Sequence, residues 1–285
     1  MPRLLLVFLL LLAYSPTFAQ PKAGQARLDS LLAELPRTKP DTNRVKLLNA
    51  ISSTYSRINN PNEGINYANQ SLVLARQLTW KKGMASAYIG LGSSYSSKSD
   101  YPQSLTAYLS GLKIAEEIKD KYLISGITSN MGIVYFFLAD YPQALANYEK
   151  ALRGAEESGS KSGVVVWLNN IGIVYNQQGE YRKGLEYRLK SLKLNEAIGF
   201  RGLRKESNFD NVGQSYLNLA DYPQALTYLQ NGLKLSKATG NKRILVRSYN
   251  NLSKLYLTVA TDSNATFLTT LLNSNKTNTL QKANA

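Results

Sequence analysis

The stretch NMGIVYFFLADYPQALANYEKAL, residues 130–152, decides the fold, because two apolar helical patterns flank a break at Asp140-Tyr141-Pro142-Gln143. Asp is a favoured helix N-cap, since its carboxylate accepts hydrogen bonds from backbone N–H groups, and Pro is tolerated in the first helical turn. The same four residues recur at 100–103 and 221–224. The pattern therefore predicts helices that begin at about Tyr101, Tyr141 and Tyr222, each preceded by another helix.

Outward from this stretch, columns of like residues repeat along the chain. A tyrosine column has spacings of 40, 40, 40, 41 and 40: Tyr55, Tyr95, Tyr135, Tyr175, Tyr216 and Tyr256. Three residues before each tyrosine stands a small residue: Ser52, Gly92, Gly132, Gly172, Gly213 and Ser253. A second aromatic and a second small residue follow in four units. Small residues let two helices approach closely, so the columns predict tandem antiparallel helical hairpins.

The columns resemble the tetratricopeptide repeat family. The third unit matches with Met131-Gly132, Tyr135, Tyr141, Ala144, Tyr148 and Ala151, and the second with Leu91-Gly92, Tyr95, Tyr101, Ser104 and Tyr108. The resemblance implies an all-α, right-handed superhelical solenoid over residues 43–260, with five full hairpins and the first helix of a sixth. The period of 40 exceeds the family's usual 34, so longer helices are expected. Arg188 and Leu229 replace the second-helix aromatic in units four and five.

The two ends of the chain depart from the repeat. Residues 1–19 read as a signal peptide with a cut after Ala19, because a ten-residue apolar run is too short to span a bilayer; an uncleaved anchor is the alternative. Residues 20–42 are expected to form a capping helix and linker. Residues 261–285 are expected to be a degenerate or disordered Thr/Asn-rich tail, with a frayed helix from about Ala265 to Leu272.

Composition excludes several kinds of chemistry. The 285 residues include no cysteine and no histidine, which removes thiolate chemistry, the commonest general base and the commonest metal ligand. The acidic pairs at 116–117 and 156–157 are adjacent on helices and do not face each other. We predict no catalytic residue, metal or cofactor. The net charge of +15 is scattered, mostly over expected inter-hairpin loops and second helices, so no nucleic-acid partner is expected.

Asparagines mark the candidate partner-binding residues, because one amide can pair with a peptide backbone in both directions. In the resembling family, asparagines at this position contact bound peptides; the alternative is an ordinary consensus residue that bonds to a neighbouring helix. Two phenylalanines of the third unit are candidate apolar anchors. The full set is Asn130, Phe136, Phe137, Asn169, Asn170, Asp210, Asn211, Asn250 and Asn251. The lysine clamp that the family uses for C-terminal carboxylates is missing.

These features predict an exported scaffold, periplasmic or secreted, that holds a protein or peptide ligand in a concave groove. No stretch after the signal reaches 18 apolar residues, so the mature chain is expected to have no membrane span. The alternative is the signal-input part of a truncated or split two-component histidine kinase or regulator. The segments at 28–32 and 41–48 resemble the extracytoplasmic sensory arrays of Bacteroidetes-like bacteria. A membrane signalling protein would then be the partner.

Overall fold

A computed structural model describes residues 24–199, 205–240 and 242–261, and all regular elements among them are helical. The expected signal peptide and the tail beyond Thr261 lie outside these residues. The chain divides into two compact units between Lys119 and Asp120. Unit 1 contains α1 (Gln25–Glu34), a 3-10 turn (Leu35–Arg37), α2 (Thr42–Arg57), α3 (Pro61–Gln77), α4 (Lys81–Ser97) and α5 (Tyr101–Glu117). Unit 2 contains α6 (Lys121–Phe137), α7 (Tyr141–Glu157), α8 (Lys161–Gln177), α9 (Tyr181–Ile198), α10 (Lys205–Asn218), α11 (Tyr222–Thr239) and α12 (Lys242–Thr261).

Consecutive helices pair as hairpins, which confirms the all-α fold of tandem, tetratricopeptide-like helix pairs. The pairs are α2 with α3, α4 with α5, α6 with α7, α8 with α9, and α10 with α11. Most of their helices are 17 residues long, as the long period requires. Before the first pair, α1 packs on α2 through Leu28, Leu47 and Ile51, which are all buried.

Local capping explains where the second helices begin. The carboxylates of Asp100, Asp140 and Asp221 each accept a hydrogen bond from the backbone N–H of the Gln three residues later, at 3.3, 3.2 and 3.2 Å. This confirms the three helix starts. Glu180 occupies the same slot in the fourth unit and makes no capping hydrogen bond with its side chain. Sequence reasoning missed two first-helix caps, Asp120 on α6 and Ser160 on α8.

From α2 onward, each turn between successive helices contains, among its described residues, one residue in the left-handed conformation. These residues follow each other every 20 or 21 positions: Asn59, Thr79, Ser99, Lys119, Ala139, Gly159, Gly179, Gly199, Ala220 and Gly240. Around Ala139, the N–H of Asp140 donates to the carbonyl of Tyr135 at 2.9 Å and closes the turn. The 20-residue period is not visible in the sequence, because chemically unlike residues occupy the turn.

The glycine column lies where first and second helices approach most closely. A Cβ on Gly132 would lie 2.8 Å from ring carbons of Tyr148, and one on Gly92 would meet the ring of Tyr108. The small residues also carry hydrogen bonds: the hydroxyl of Ser104 donates to the carbonyl of Gly92 at 2.7 Å. The close approach that the small columns predict is therefore present.

The tyrosine column stacks on the second helix where that helix offers a ring. In the fourth and fifth units the pairs are Tyr175 with Tyr187, at 5.5 Å between ring centroids, and Tyr216 with Tyr228, at 5.3 Å. In these units the second-helix aromatic stands one residue earlier than in units two and three. That shift moves the ring from the glycine of the first helix to its tyrosine.

Candidate functional site

The candidate residues all lie on the first helices of unit 2, namely α6, α8, α10 and α12. Because the repeat has a nearly constant period, the asparagine one residue before each packed apolar position stands at the same repeat position on each first helix. Asn130, Asn170, Asn211 and Asn251 are each half-buried. With the exposed Phe137, these four residues are called the first-helix surface below.

Two of the candidate asparagines are joined across adjacent repeats. The Nδ2 of Asn211 on α10 donates to the Oδ1 of Asn169 on α8 at 2.9 Å. Asn169 is buried, and its own Nδ2 lies 3.5 Å from the Oδ1 of Asn170, at the limit of a hydrogen bond. Asn169 and Asn211 therefore link two first helices, as the consensus alternative holds. Asn170 is left with the more accessible amide.

The side chain of Asp210 is buried and bonded to two residues of α12. Its side chain is 1% exposed and accepts hydrogen bonds from the Nε of Arg247 at 3.3 Å and the hydroxyl of Ser248 at 3.1 Å. Burial raises the pKa of the Asp210 carboxyl, and the guanidinium of Arg247 opposes that rise. These contacts join α10 to α12, so the Asp210 side chain is occupied within the protein.

The two phenylalanines differ in their surroundings. Phe136 is half-buried, packs against the core cluster of Ala144, Tyr148, Ile171 and Val174, and lies 6.1 Å from the ring of Tyr141. Phe137 is 59% exposed, and its ring lies 5.8 Å from that of Phe136. Phe137 is thus the candidate whose apolar surface is available to a partner. At the end of unit 2, Asn250 is exposed on α12.

Arg188 is a buried basic residue. The sequence identified it only as a departure from the aromatic residue expected at this position of the second helix. It is buried between α8, α9 and α10, where its Nη1 donates to the carbonyl of Asn211 at 2.6 Å and to the hydroxyl of Ser215 at 2.8 Å. Its Nε has no partner. Burial lowers the pKa of the guanidinium to about 10. The signal that could have predicted these hydrogen bonds between α9 and α10 was a basic residue at a position that is aromatic in other repeats.

Some lysine side chains at the starts of helices form exposed ion pairs with glutamates at the ends of other helices. Lys121, the first residue of α6, lies 3.8 Å from a carboxylate oxygen of Glu157 at the end of α7, and Lys81 pairs likewise with Glu117. Such exposed pairs contribute roughly 0–1 kcal/mol. Lys121 and Lys161 begin first helices, whereas most basic residues were expected in loops or on second helices. The glutamates at these ends are therefore partners of lysines.

The described residues contain no group of three or more acidic, His or Cys side chains that could hold a metal ion. No helix among them is both long and apolar enough to cross a membrane. The first-helix surface presents a row of amides beside the exposed ring of Phe137, groups that can form hydrogen bonds and apolar contacts with a partner.

Comparison with known proteins agrees with this fold. The tetratricopeptide repeat model matches residues 83–157 and 123–197. No curated protein sequence matches the chain significantly. Among solved structures, BtubC (BKLC) from P. vanneervenii superposes with a TM-score of 0.63 at 15% identity, over 78% of this chain and 91% of that one.

Two further solved structures share the fold. A STAND signal-transduction ATPase with a tetratricopeptide repeat sensor, from Pyrococcus horikoshii, gives a TM-score of 0.66 at 17% identity over 88% of this chain, which spans only 42% of that protein. NprR in complex with its cognate peptide NprX gives 0.61 at 17% identity, over 90% of this chain and 73% of that one. At these identities the likeness concerns the fold alone. The repeat columns, the helical hairpins and the family match over residues 83–197 together show that this chain contains tetratricopeptide repeats.

Proposed function

We propose that this chain is an exported scaffold that binds a protein or peptide partner along the first-helix surface and performs no chemistry on it. The observation that carries the proposal is the row of half-buried amides at one register on α6, α8, α10 and α12, beside the exposed ring of Phe137. The fold-level likeness to NprR, whose structure contains a cognate peptide, supports the same kind of ligand.

The chemistry of this surface suits an extended peptide. An asparagine amide donates and accepts, so successive amides at one repeat spacing can pair with backbone groups of a ligand whatever its side chains are. Phe137 adds an apolar anchor, and exposed aromatic residues carry much of the energy in protein interfaces. Asn169 and Asp210 are excluded from direct contact in this proposal, because they are buried and internal hydrogen bonds occupy them. Asn211 uses one amide N–H on Asn169 and offers a ligand its amide oxygen and its second N–H.

The test begins with a partner captured from an envelope extract on the full chain. Its affinity is then measured by titration calorimetry for Phe137→Ala and Asn170→Ala. Truncation of an anchor costs more than about 1 kcal/mol, so Phe137→Ala should weaken binding roughly fivefold or more. Loss of one hydrogen bond costs about 0.5–1.5 kcal/mol, so Asn170→Ala should weaken binding about 2- to 13-fold.

A matched control separates this surface from the basic second helices. Lys190 and Lys193 are exposed on α9, so Lys190→Ala and Lys193→Ala should leave the affinity unchanged. If the partner instead binds the basic surface, the lysine variants should weaken binding more than Phe137→Ala and Asn170→Ala do. The affinity should then also fall steeply as the salt concentration rises. Normal binding by folded Phe137→Ala and Asn170→Ala proteins would remove the first-helix surface as the site.

The second candidate function is signal input for a two-component histidine kinase or regulator, of which this chain would be a truncated or split copy. The fold-level likeness to a protein with a tetratricopeptide repeat sensor favours it. The genomic test is direct: the reading frame beyond codon 285, or a shifted frame, should encode an apolar span and kinase motifs. If neither frame encodes an apolar span and kinase motifs, the signal-input proposal is wrong and the scaffold proposal stands.

A further inference from the structure

The first helices of unit 2 present no exposed carboxylate among their described residues. Helices α6, α8 and α12 contain no Asp or Glu within their bounds. The two acidic residues of α10, Glu206 and Asp210, are only 5% and 1% exposed. The second helices differ, because glutamates are exposed on α7 and α9, among them Glu157 and Glu186. An acidic partner that approaches the first helices therefore meets no exposed like charge on them.

Cations stand beside the asparagine that α12 contributes to the first-helix surface. Arg247, Asn251 and Lys254 are spaced by four and three residues, so their side chains lie on one face of the helix. Arg247 is half-exposed, and its Nε lies 3.3 Å from the buried carboxylate of Asp210, which offsets its charge. Lys254 is exposed. The positive charge that a ligand meets beside Asn251 is therefore chiefly that of Lys254.

A buried cation lies against the neighbouring asparagine, on α10. The Nη1 of Arg188 donates to the backbone carbonyl of Asn211 at 2.6 Å. With a pKa of about 10 the guanidinium stays charged at neutral pH, and among the described residues no carboxylate forms an ion pair with it. A charge in a medium of low dielectric constant is weakly screened, so Arg188 contributes a positive potential at Asn211.

We propose that the segment held on the first-helix surface is an acidic peptide, with carboxylates at α10 and α12 and an apolar side chain on Phe137 of α6. This inference rests on the proposed function and names the chemistry of its ligand. The repeat position of Lys254 is neutral on the other first helices of unit 2, where it is occupied by Ile133, Ile173 and Gln214. The carboxylates are therefore assigned to one end of the ligand and the apolar side chain to the other.

The probe is a phage-displayed library of random peptides about 12 residues long, which span about 40 Å when extended, selected on the full chain. We expect the selected peptides to be rich in Asp and Glu and to contain an aromatic or aliphatic residue. The affinity of a selected peptide should fall about fivefold or more for Phe137→Ala, which removes the anchor. It should fall about tenfold or more for Lys254→Glu, which replaces an attraction by a repulsion.

A matched control tests whether the position of the charge matters. Lys193 is exposed on the second helix α9, and Lys193→Glu changes the net charge as much as Lys254→Glu does. Lys193→Glu should leave the affinity unchanged. A higher salt concentration should weaken binding to the unchanged chain, and this dependence should be smaller for Lys254→Glu but retained for Lys193→Glu. An equal loss for the two variants would show that acidic peptides bind the basic chain without a site, and would overturn the proposal.

Arg188 is tested by Arg188→Met, which keeps a long side chain and removes its charge. The affinity of the selected peptide should fall in a variant that circular dichroism shows to be folded; an unchanged affinity would overturn the assignment of a carboxylate to α10. The exposed Lys254 decides the proposal if Arg188→Met does not fold.

Two further results separate this inference from the proposed function. Selected peptides that are neutral or basic, and whose binding still requires Phe137, would refute the acidic ligand and leave the first-helix surface as the binding site. Selected peptides that bind Phe137→Ala and Asn170→Ala as tightly as they bind the unchanged chain would refute both.

Discussion

Two helical glycines offer a matched pair of alanine substitutions with opposite expected effects. Gly126 lies inside α6, and a Cβ added there would have no heavy atom within 4 Å. Gly172 lies inside α8, and its Cβ would stand 2.8 Å from the carbonyl oxygen of Gly184 and 2.8 Å from the Cγ of Arg188. The helix-propensity gain is the same at both positions, so the comparison isolates the contact between helices.

The magnitudes follow from these contacts. Alanine is more favourable than glycine in a helix interior by about 0.8–1 kcal/mol, so Gly126→Ala should raise the free energy of unfolding by about that amount. At Gly172 the same gain is opposed by overpacking, which costs about 1–3 kcal/mol. The crowding cannot be relieved by a rotamer change alone, because the Gly184 oxygen belongs to the backbone of α9. The free energy of unfolding of Gly172→Ala should therefore lie about 1–3 kcal/mol below that of Gly126→Ala.

Urea unfolding of both variants and the unchanged chain, followed by circular dichroism, measures this difference. Repeat arrays are stabilised by nearest neighbours, so the larger Gly172→Leu should also uncouple the fourth hairpin and split the unfolding into two steps. Equal stability of Gly172→Ala and Gly126→Ala would refute the close approach of α8 and α9 at this glycine. A single, unshifted transition for Gly172→Leu would refute the coupling argument.

Four further predictions concern single features. Thr79→Gly should raise the free energy of unfolding in urea by about 1 kcal/mol, because a β-branched residue holds a left-handed turn conformation there. Glu180→Asp should raise it by about 0.5–1 kcal/mol, because α9 would gain the side-chain cap that Asp supplies elsewhere; an unchanged midpoint would contradict either idea. Burial raises the pKa of Asp210 in the folded protein, so its protonation favours folding, and this contribution is lost as pH rises through the raised pKa. Asp210→Asn should therefore remove part of the stability gained on lowering pH toward the ordinary value of 3.8, as thermal melts across pH would show. Finally, the intact mass of the exported protein should correspond to a chain that begins at Gln20, and retention of residues 1–19 would indicate an anchor.

Helix boundaries could be predicted from the sequence because capping is a local interaction. Asp140 caps α7 through a backbone N–H only three residues away, so its effect is readable from a short stretch. The 40-residue columns were equally readable, since every hairpin repeats the same contacts, as Gly132 does with Tyr148. The left-handed turns could not be predicted from the sequence, because the residues that adopt this conformation share no residue type. The closure of the backbone between two helices imposes it.

The sequence by itself determined a tandem array of helical hairpins and the helix faces on which the candidate residues stand. Only the tertiary structure decided which of those residues remain accessible. Asn169 and Asp210 are buried because partners about 40 residues away, Asn211 and Ser248, reach them from the next first helix. The adjacent residues Phe136 and Phe137 differ for the same reason, since Phe136 packs against the core and Phe137 is 59% exposed. Burial is set by neighbours distant in the chain, and helical periodicity records only the direction of a side chain and not what it meets.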